Sequence, residues 1–148
     1  MKFGIWIGAV IMIAFAFTAW VMYTKGNPDV MKSSPDFSVT TSALFDAFKQ
    51  DSQMAAKNFT DKIVRVKGAV KKVDTSGSII MADEAHNGEI ILAIDLRYHD
   101  ALKSVKTGDT VTAQGVFDNF TADIPNPDDM LSGLGATIRF RAAGIAKK

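Results

Sequence analysis

An uninterrupted apolar segment opens the chain. From Phe3 to Tyr23 the sequence contains no charged residue and no proline. At a rise of about 1.5 Å per residue, a helix over this segment would be about 31 Å long, which matches a hydrocarbon core of about 30 Å. Trp6 lies near one end of the segment, and Trp20 and Tyr23 lie near the other, where aromatic rings meet lipid headgroups. The pattern predicts a transmembrane anchor over residues 1–24, with Trp6, Trp20 and Tyr23 at its interfaces.

Two other interpretations of this segment are weaker. Ala14-Phe15-Ala16 resembles a cleavage site for a secretory signal peptide, but the apolar run continues well past Ala16. The apolar region of a signal peptide is usually only about 7–15 residues long. A buried helix of a small domain is the other alternative, and a helix that is apolar on every side is too long for that place.

The positive charges on the two sides of the anchor are nearly equal in number, so they do not decide its orientation. Lys2 precedes the apolar segment, and Lys25 and Lys32 follow it. The very short N-terminal flank is typical of a signal-anchor, so we expect the domain to lie outside the cytoplasm.

A segment without periodicity separates the anchor from the domain. Residues 25–39 contain two prolines, a glycine and small polar residues, and we expect them to form a linker. Thr40, Thr41 and Ser42 then offer capping oxygens for one amphipathic helix that ends at about Asn58. Its apolar stripe, which Ser52 interrupts, is expected to pack on the core rather than on a partner helix; it consists of Leu44, Phe45, Phe48, Met54, Ala55 and Phe59.

From Lys62 onward, apolar residues alternate with polar ones, which predicts strands. We expect five strands, which begin at Lys62, Ser78, Glu89, Thr110 and Ala136, with a short helical link over Tyr98–Val105. The inward positions include Val64, Val66, Gly68 and Val70 on the first strand, Ile90, Leu92, Ile94 and Leu96 on the third, Val111, Ala113, Gly115 and Phe117 on the fourth, and Ile138, Phe140 and Ala142 on the last. Glycines in mid-strand suit strands that bend around a barrel.

The order of these elements predicts the fold class. It is a mainly β domain over residues 40–148: a five-stranded Greek-key barrel of the OB type, preceded by the amphipathic helix. The N-terminal transmembrane helix would be additional to this domain. An open meander is the alternative, but it leaves strand edges that small proteins usually protect.

Two segments carry a resemblance to a known family. Thr40–Val73 contains the capped helix, then AAKNF at 55–59 and DKIVRVKGAV at 61–70, and KTGDTVTAQG at 106–115 looks like the family's fourth strand. Over residues 40–146 the chain resembles the tRNA anticodon-binding-like OB-fold family of bacterial envelope proteins. The resemblance implies the fold and a place in the bacterial envelope, whereas RNA binding does not follow from it.

Many members of that family look like lipoproteins held by an N-terminal cysteine, and this chain contains no cysteine. We expect the transmembrane helix to replace the lipid, with the domain in the periplasm and the anchor in the cytoplasmic membrane. The absence of cysteine also excludes thiol catalysis and zinc sites of the cysteine type.

Charge argues against a nucleic-acid partner. The chain has 17 Lys+Arg and 16 Asp+Glu, so without Lys2 the remainder has 16 of each. Proteins that bind phosphate backbones usually carry a basic excess. Single-strand binding would normally also use stacking aromatic residues, and the second and third strands contain none.

Basic residues nevertheless recur along the first and last strands. A solvated outer face of the barrel accounts for them most simply, and contact with anionic lipid headgroups is the functional alternative. The candidate lipid contacts are Arg65, Lys67, Lys71, Arg139 and Arg141, with Lys62 and Lys72 beside them.

No constellation of catalytic or metal-binding residues is evident. His86 lies in a polar loop whose spacing matches no metal motif, and His99 adjoins Asp100 without a nucleophile motif. The aspartates at 123, 128 and 129 surround two prolines in a surface loop, where solvated charges are expected rather than an acid–base pair. We therefore predict no catalytic residue, metal site or cofactor, and no enzymatic activity.

The sequence favours a membrane-anchored binding or assembly module, an accessory subunit of a membrane protein complex. The predicted contact element is the loop from 120 to 135, with Met130, Leu131 and Leu134. Single-stranded nucleic-acid binding is one alternative. Haem carriage is another, since an OB barrel on a single anchor resembles the haem chaperone of cytochrome c maturation, but the tail from Arg141 to Lys148 lacks the histidine that this role needs.

Overall fold

The computed structural model describes residues 28–122 and 135–146, and these form one sheet with short helices around it. The strands are β1 (Phe37–Thr40), β2 (Ile63–Asp74), β3 (Ser78–Asp83), β4 (Gly88–Ile94), β5 (Thr110–Thr121) and β6 (Ala136–Ala146). The α-helices are α1 (Thr41–Gln50), α2 (Ser52–Phe59) and the single turn α3 (His99–Leu102), and 3-10 turns lie at Val30–Lys32, Glu84–His86 and Leu96–Tyr98.

Strands β2 to β6 close into a barrel. The order of hydrogen-bonded neighbours is β1-β2-β3-β4-β6-β5, and β2 pairs with β5 as well. Only the pairs β1–β2 and β4–β6 are parallel among the described strands. The first half of β2 pairs with β5 and its second half with β3, so this strand serves two sides of the barrel as predicted. The predicted mainly β, five-stranded Greek-key barrel is confirmed.

Helix α1 covers one end of the barrel. Gly68 and Gly88 allow this close approach, because a Cβ at Gly68 would lie 2.3 Å from the Thr41 methyl and one at Gly88 2.5 Å from the Phe45 ring. Beneath the helix, the Phe48 and Phe117 rings stack at 5.5 Å. The core also contains Phe59 and Phe140, and its aliphatic part comes from the predicted inward positions of the strands, including Val64, Val66, Ile90, Leu92 and Ile138, all at most 1% exposed.

The predicted single helix is divided in two. Asp51 has extended backbone angles (φ −154°, ψ 96°), so α1 ends at Gln50 and α2 begins at Ser52. The Asp51 carboxylate accepts a hydrogen bond from the Met54 N–H at 2.9 Å. An aspartate side chain that bonds nearby backbone N–H groups favours a helix start over a helix interior.

Two residues predicted to point inward do not. Leu96 is 83% exposed because β4 ends at Ile94, and the Asp95 side chain caps the 3-10 turn that follows, so the alternation stops there. Ala142 has a positive φ of 49°, and its neighbour Ala143 is fully buried instead. The register of β6 shifts at this position, which identifies a β-bulge that adds one residue to the strand.

The described part of the predicted linker packs on the barrel. Within residues 25–39, Val30 is only 3% exposed and Phe37–Thr40 form β1 on the edge of β2. The buried side chain of Gln114 donates hydrogen bonds to the carbonyls of Val30 (2.6 Å) and Ser33 (2.7 Å). We call Asp29–Ser33 the strap. Composition alone could not show this docking, because its partners lie far away in the sequence.

The predicted anchor over residues 1–24 lies outside the described residues. Within the two described ranges, no helix has both the length and the apolar character needed to cross a bilayer.

Candidate functional site

A row of four outward side chains crosses the barrel surface from β2 to β6. Register pairs Lys72 with Ile80, Ile80 with Ile91, and Ile91 with Arg139. The two isoleucines are half-buried, and the two cations at the ends are exposed. Because neighbouring strands lie about 4.8 Å apart, the backbone positions of the two cations are separated by about 14 Å along the barrel surface. We call these four residues the isoleucine row.

The neighbours of the isoleucine row on β3 and β4 are two alanines, Ser78 and Glu89, and the Glu89 carboxylate is ion-paired with Lys71. Ala82 lies beside Ile80 on β3, and Ala93 beside Ile91 on β4, and both face outward. Among the salt bridges of the described residues, none involves Lys72 or Arg139. The row is therefore an aliphatic strip with a cation at each end. No aromatic side chain lies on this face of β3 or β4, so the stacking platform of single-strand binders is missing there.

The predicted basic residues do not form one continuous stripe. Arg65 is half-buried, and its Nε donates to Gln114 Oε1 at 3.0 Å. Lys71 is ion-paired with Glu89, and Arg141 with Asp61. Lys67 is exposed on β2, and Arg139 is exposed on β6, which lies two strands away through β5 and three strands away through β3 and β4. The structure therefore does not bring all five residues together in a single lipid-binding stripe.

A groove opens between α1, the 84–87 turn and the neighbouring ends of β5 and β6. Its volume is about 440 Å³, and three phenylalanines line its floor. The lining residues are Phe45, Phe48, Phe120, Ala122, Gly135 and Ala136, with Lys49, Ser52, His86 and Asn87 at the rim. Of these rim residues, His86 is bound to two aspartates that lie outside the groove lining, Asp46 and Asp83.

His86 connects α1 to the β3–β4 connection. Its Nε2 lies 2.8 Å from Asp46 Oδ1, and its Nδ1 lies 3.2 Å from Asp83 Oδ2. The hydrogen bond to Asp46 and the bond and charge of Asp83 raise the pKa of His86, against the effect of burial. Burial opposes ionisation of Asp83, but hydrogen bonds from Ser42 and His86 outweigh it and lower the pKa of that carboxyl. Asp46, His86 and Asp83 thus hold α1 against the β3–β4 connection, and we call these three residues the clasp.

The other candidate side chains, His99 and Asp100, are also engaged in local contacts. His99 Nε2 lies 3.0 Å from the Ile94 carbonyl, whereas Asp100 is ion-paired with Lys103 at 2.7 Å, so each of these two side chains has its own local partner. Within the described residues, no group of three or more histidine, aspartate or glutamate side chains could hold a metal ion.

Several predicted site residues lie outside the described residues. They are the anchor residues Trp6, Trp20 and Tyr23, the contact-loop residues Met130, Leu131 and Leu134, and the aspartates at 123, 128 and 129.

Sequence reasoning missed the isoleucine row. It identified Lys72 and Arg139 as basic and placed Ile90 in the core, but it gave no role to Ile80 and Ile91. The signal was present in the doublets Ile79-Ile80 and Ile90-Ile91, since alternate residues of a strand face opposite sides and one isoleucine of each doublet must point outward.

Comparison with solved structures supports the barrel. One similar structure is a "putative nucleic acid-binding lipoprotein" from Klebsiella pneumoniae, which is 13% identical with a TM-score of 0.54 and covers 84% of this chain and 100% of that one. At this identity the likeness concerns the fold alone. A second is a "putative aspartyl-tRNA synthetase" from Leishmania major Friedlin, 12% identical with a TM-score of 0.42, where the match covers 90% of this chain and 26% of that chain.

Sequence comparison identifies the family. No curated protein matches the chain. Residues 2–126 match the family described as tRNA_anti-like, which agrees with the resemblance carried by the capped helix and the DKIVRVKGAV strand. The match covers most of the 148 residues, and the chain belongs to the tRNA_anti-like family.

Proposed function

We propose that this protein is a membrane-anchored, non-catalytic binding module in the bacterial envelope, an accessory subunit that engages a partner protein through the isoleucine row. The observation that carries the proposal is the row itself. Two half-buried isoleucines lie side by side in the middle of the surface that OB barrels commonly use for ligands. A complementary ligand would present aliphatic side chains in an extended segment, with an acidic residue towards each end.

The charges of the row support a protein segment of this composition. The backbone positions of Lys72 and Arg139 are about 14 Å apart along the barrel surface, a distance that four or five residues of extended chain would span. Apolar contact in the centre with polar contacts at the rim is the usual anatomy of a protein interface.

Site-specific photo-cross-linking tests the interface in the full-length chain. A photoreactive amino acid at Ala93, which is exposed beside the row, should capture a discrete partner in membranes, and one at Lys57 on α2 should not. Replacing both isoleucines with threonine should abolish capture from Ala93, because threonine keeps the strand and removes the apolar surface. The matched control is Val116→Thr, a half-buried outward residue of β5. Capture that survives the double substitution would contradict the proposed interface.

Single-stranded nucleic acid is the second candidate ligand. The Klebsiella pneumoniae structure that shares this fold carries the words "nucleic acid-binding" in its description, and the row offers two cations without ion pairs among the described residues. Titration of a labelled single-stranded oligonucleotide distinguishes the two. Saturable binding that Lys72→Glu and Arg139→Glu weaken would favour nucleic acid and replace the protein partner.

The anchor is tested separately. We propose that residues 1–24 hold the chain in the membrane, because the span from Phe3 to Tyr23 carries no charge. The full-length chain should stay in the membrane fraction after an alkaline carbonate wash, and a variant that lacks residues 1–24 should be released. A full-length chain that washes off would contradict the anchor.

A further inference from the structure

We infer that the strap seats the barrel directly on the bilayer, with β5 towards the lipid headgroups and the isoleucine row directed away from them. The inference rests on the proposed anchor. Its structural basis is the docking of the strap on the barrel. This docking leaves far fewer free linker residues between the anchor and the domain than the sequence predicted.

The strap is held by a closed set of hydrogen bonds. Gln114, 1% exposed, donates to the carbonyls of Val30 and Ser33, and its own carbonyl accepts from Arg65 at 3.0 Å. The Tyr98 hydroxyl donates to the Asp29 carboxylate at 2.5 Å. Because a buried amide left without partners is costly, the side chain of Gln114 strongly favours the docked strap.

Apolar contacts hold the strap in the same position. Val30 is 3% exposed. The Met31 side chain lies so close to β6 that a Cβ at Gly144 would be 2.5 Å from Met31 Cγ. The strap therefore belongs to the folded domain.

The docked strap shortens the tether. The proposed anchor ends at residue 24, and the strap begins at Asp29, which leaves residues 25–28 between them. Four residues reach at most about 14 Å when fully extended, whereas a linker over residues 25–39 would reach about 50 Å. Because Asp29 then lies within about 14 Å of the end of the proposed anchor, the side of the barrel that carries the strap is the side nearest the headgroups.

The strand order decides which side that is. Register places Arg65, Gln114 and Gly144 in one row across β2, β5 and β6, and the strap covers this row. In the closed order β2-β3-β4-β6-β5, strand β5 lies opposite β3 and β4. The side that carries Ile80 and Ile91 therefore points away from the bilayer, where a partner can reach it.

The charges on the strap side nearly cancel, so they do not oppose contact with a bilayer surface. The cations there are Lys32, whose side chain is 83% exposed, Lys67 and Arg97. The acidic groups Asp29 and Asp95 are each ion-paired with a cation of the same surface, Lys32 and Arg97 respectively. Lys67 is the one of these three cations that has no ion pair within the described residues, so attraction to anionic lipids is a minor contribution and the short tether carries the inference.

Spin labels in the full-length chain test the orientation. The chain has no cysteine, so Ser38→Cys on the strap side and Ala93→Cys on the opposite side each give one labelling position, and both residues are exposed. The labelled protein is placed in nanodiscs of phosphatidylcholine and phosphatidylglycerol that contain a nickel-chelating lipid. The label at Ser38 should collide with the nickel several-fold more often than the label at Ala93. Equal collision rates in a chain that stays in the nanodisc would overturn the inference and leave the anchor intact.

Two further variants isolate the strap. The double substitution Tyr98→Phe with Gln114→Leu removes its hydrogen bonds and should abolish the difference between the two labels. Asp100→Asn, which removes only the exposed ion pair with Lys103 close to Tyr98, should leave the difference unchanged. A chain that does not remain in the nanodisc would refute the anchor and the orientation together. If the double variant fails to fold, the comparison of the two labels in the chain without these substitutions decides the orientation.

Discussion

At the scale of single residues, His86 makes the stability of the domain depend on pH. Asp46 and Asp83 raise the pKa of His86 above its ordinary value of 6.5, so the folded protein holds the proton more tightly than the unfolded chain does. The stabilisation from this clasp is therefore complete below pH 6.5, and it is lost as the pH rises through the raised pKa of the folded state.

Substitution of His86 tests this linkage. In His86→Asn, the free energy of unfolding should fall most relative to the unsubstituted protein below pH 6.5, and the difference should shrink at alkaline pH. Urea unfolding across this range measures it. Asp100→Asn, which leaves the clasp intact, should show no such trend. A difference that does not change with pH would mean that the ring acts only through packing against Phe45.

At the scale of elements, the approach of α1 to the barrel depends on two positions without a side chain. A Cβ at Gly88 would meet three atoms of the Phe45 ring between 2.5 and 2.8 Å away, and one at Gly68 would meet Thr41. The periodicity of the helix predicted that it packs on a core, and the stripe of Leu44, Phe45 and Phe48 is indeed buried. The depth to which it packs depends on glycines that lie far along the chain.

Gly88→Ala should destabilise the domain by about 1–3 kcal/mol, because the added methyl overpacks the contact between β4 and the Phe45 ring. Thermal or urea unfolding measures the change. Recovery of stability in the combination with Phe45→Leu, whose side chain is smaller, would confirm that the ring is the cause. An alanine that leaves the stability unchanged would show that α1 can shift outward without loss.

The division between α1 and α2 also belongs to this scale. Ser52 marked an interruption of the apolar stripe, but the pattern did not show that the preceding Asp51 would leave the helix. The hydrogen bond from the Met54 N–H to the Asp51 carboxylate explains the break as a second helix start.

At the scale of the whole molecule, the domain begins earlier than the sequence indicated. The predicted boundary lies at residue 40, whereas the strap and β1 belong to the folded unit from Asp29 onward. We therefore expect the barrel, the helices and the strap to unfold together.

Truncation tests this boundary. A fragment of residues 28–148 should fold, and a fragment of residues 40–148 should be less stable by about 3 kcal/mol or more. Burial of Val30 contributes about 1.5–3 kcal/mol of this difference, and each lost hydrogen bond about 1 kcal/mol. Urea unfolding of the two fragments compares them directly. Equal stabilities would mean that the strap contributes nothing to the fold.

The sequence by itself determined the strands, the core and the family resemblance. Alternation with a period of two is a local property, because it reflects which face of each strand is buried, and it placed Val64, Val66, Ile90 and Ile138 correctly. The local rule failed where the chain leaves regular structure, at Leu96 after the end of β4 and at the β-bulge beside Ala142.

Only the tertiary structure decided what lies beside what on the outside of the barrel. Lys72, Ile80, Ile91 and Arg139 meet because of the register across four strands, and the strap meets Gln114 across more than 80 residues of sequence. The periodicity of the sequence does not predict which outward-facing residues are neighbours, because their contacts depend on strand order and pairing. The candidate interface and the docked strap are consequences of that order.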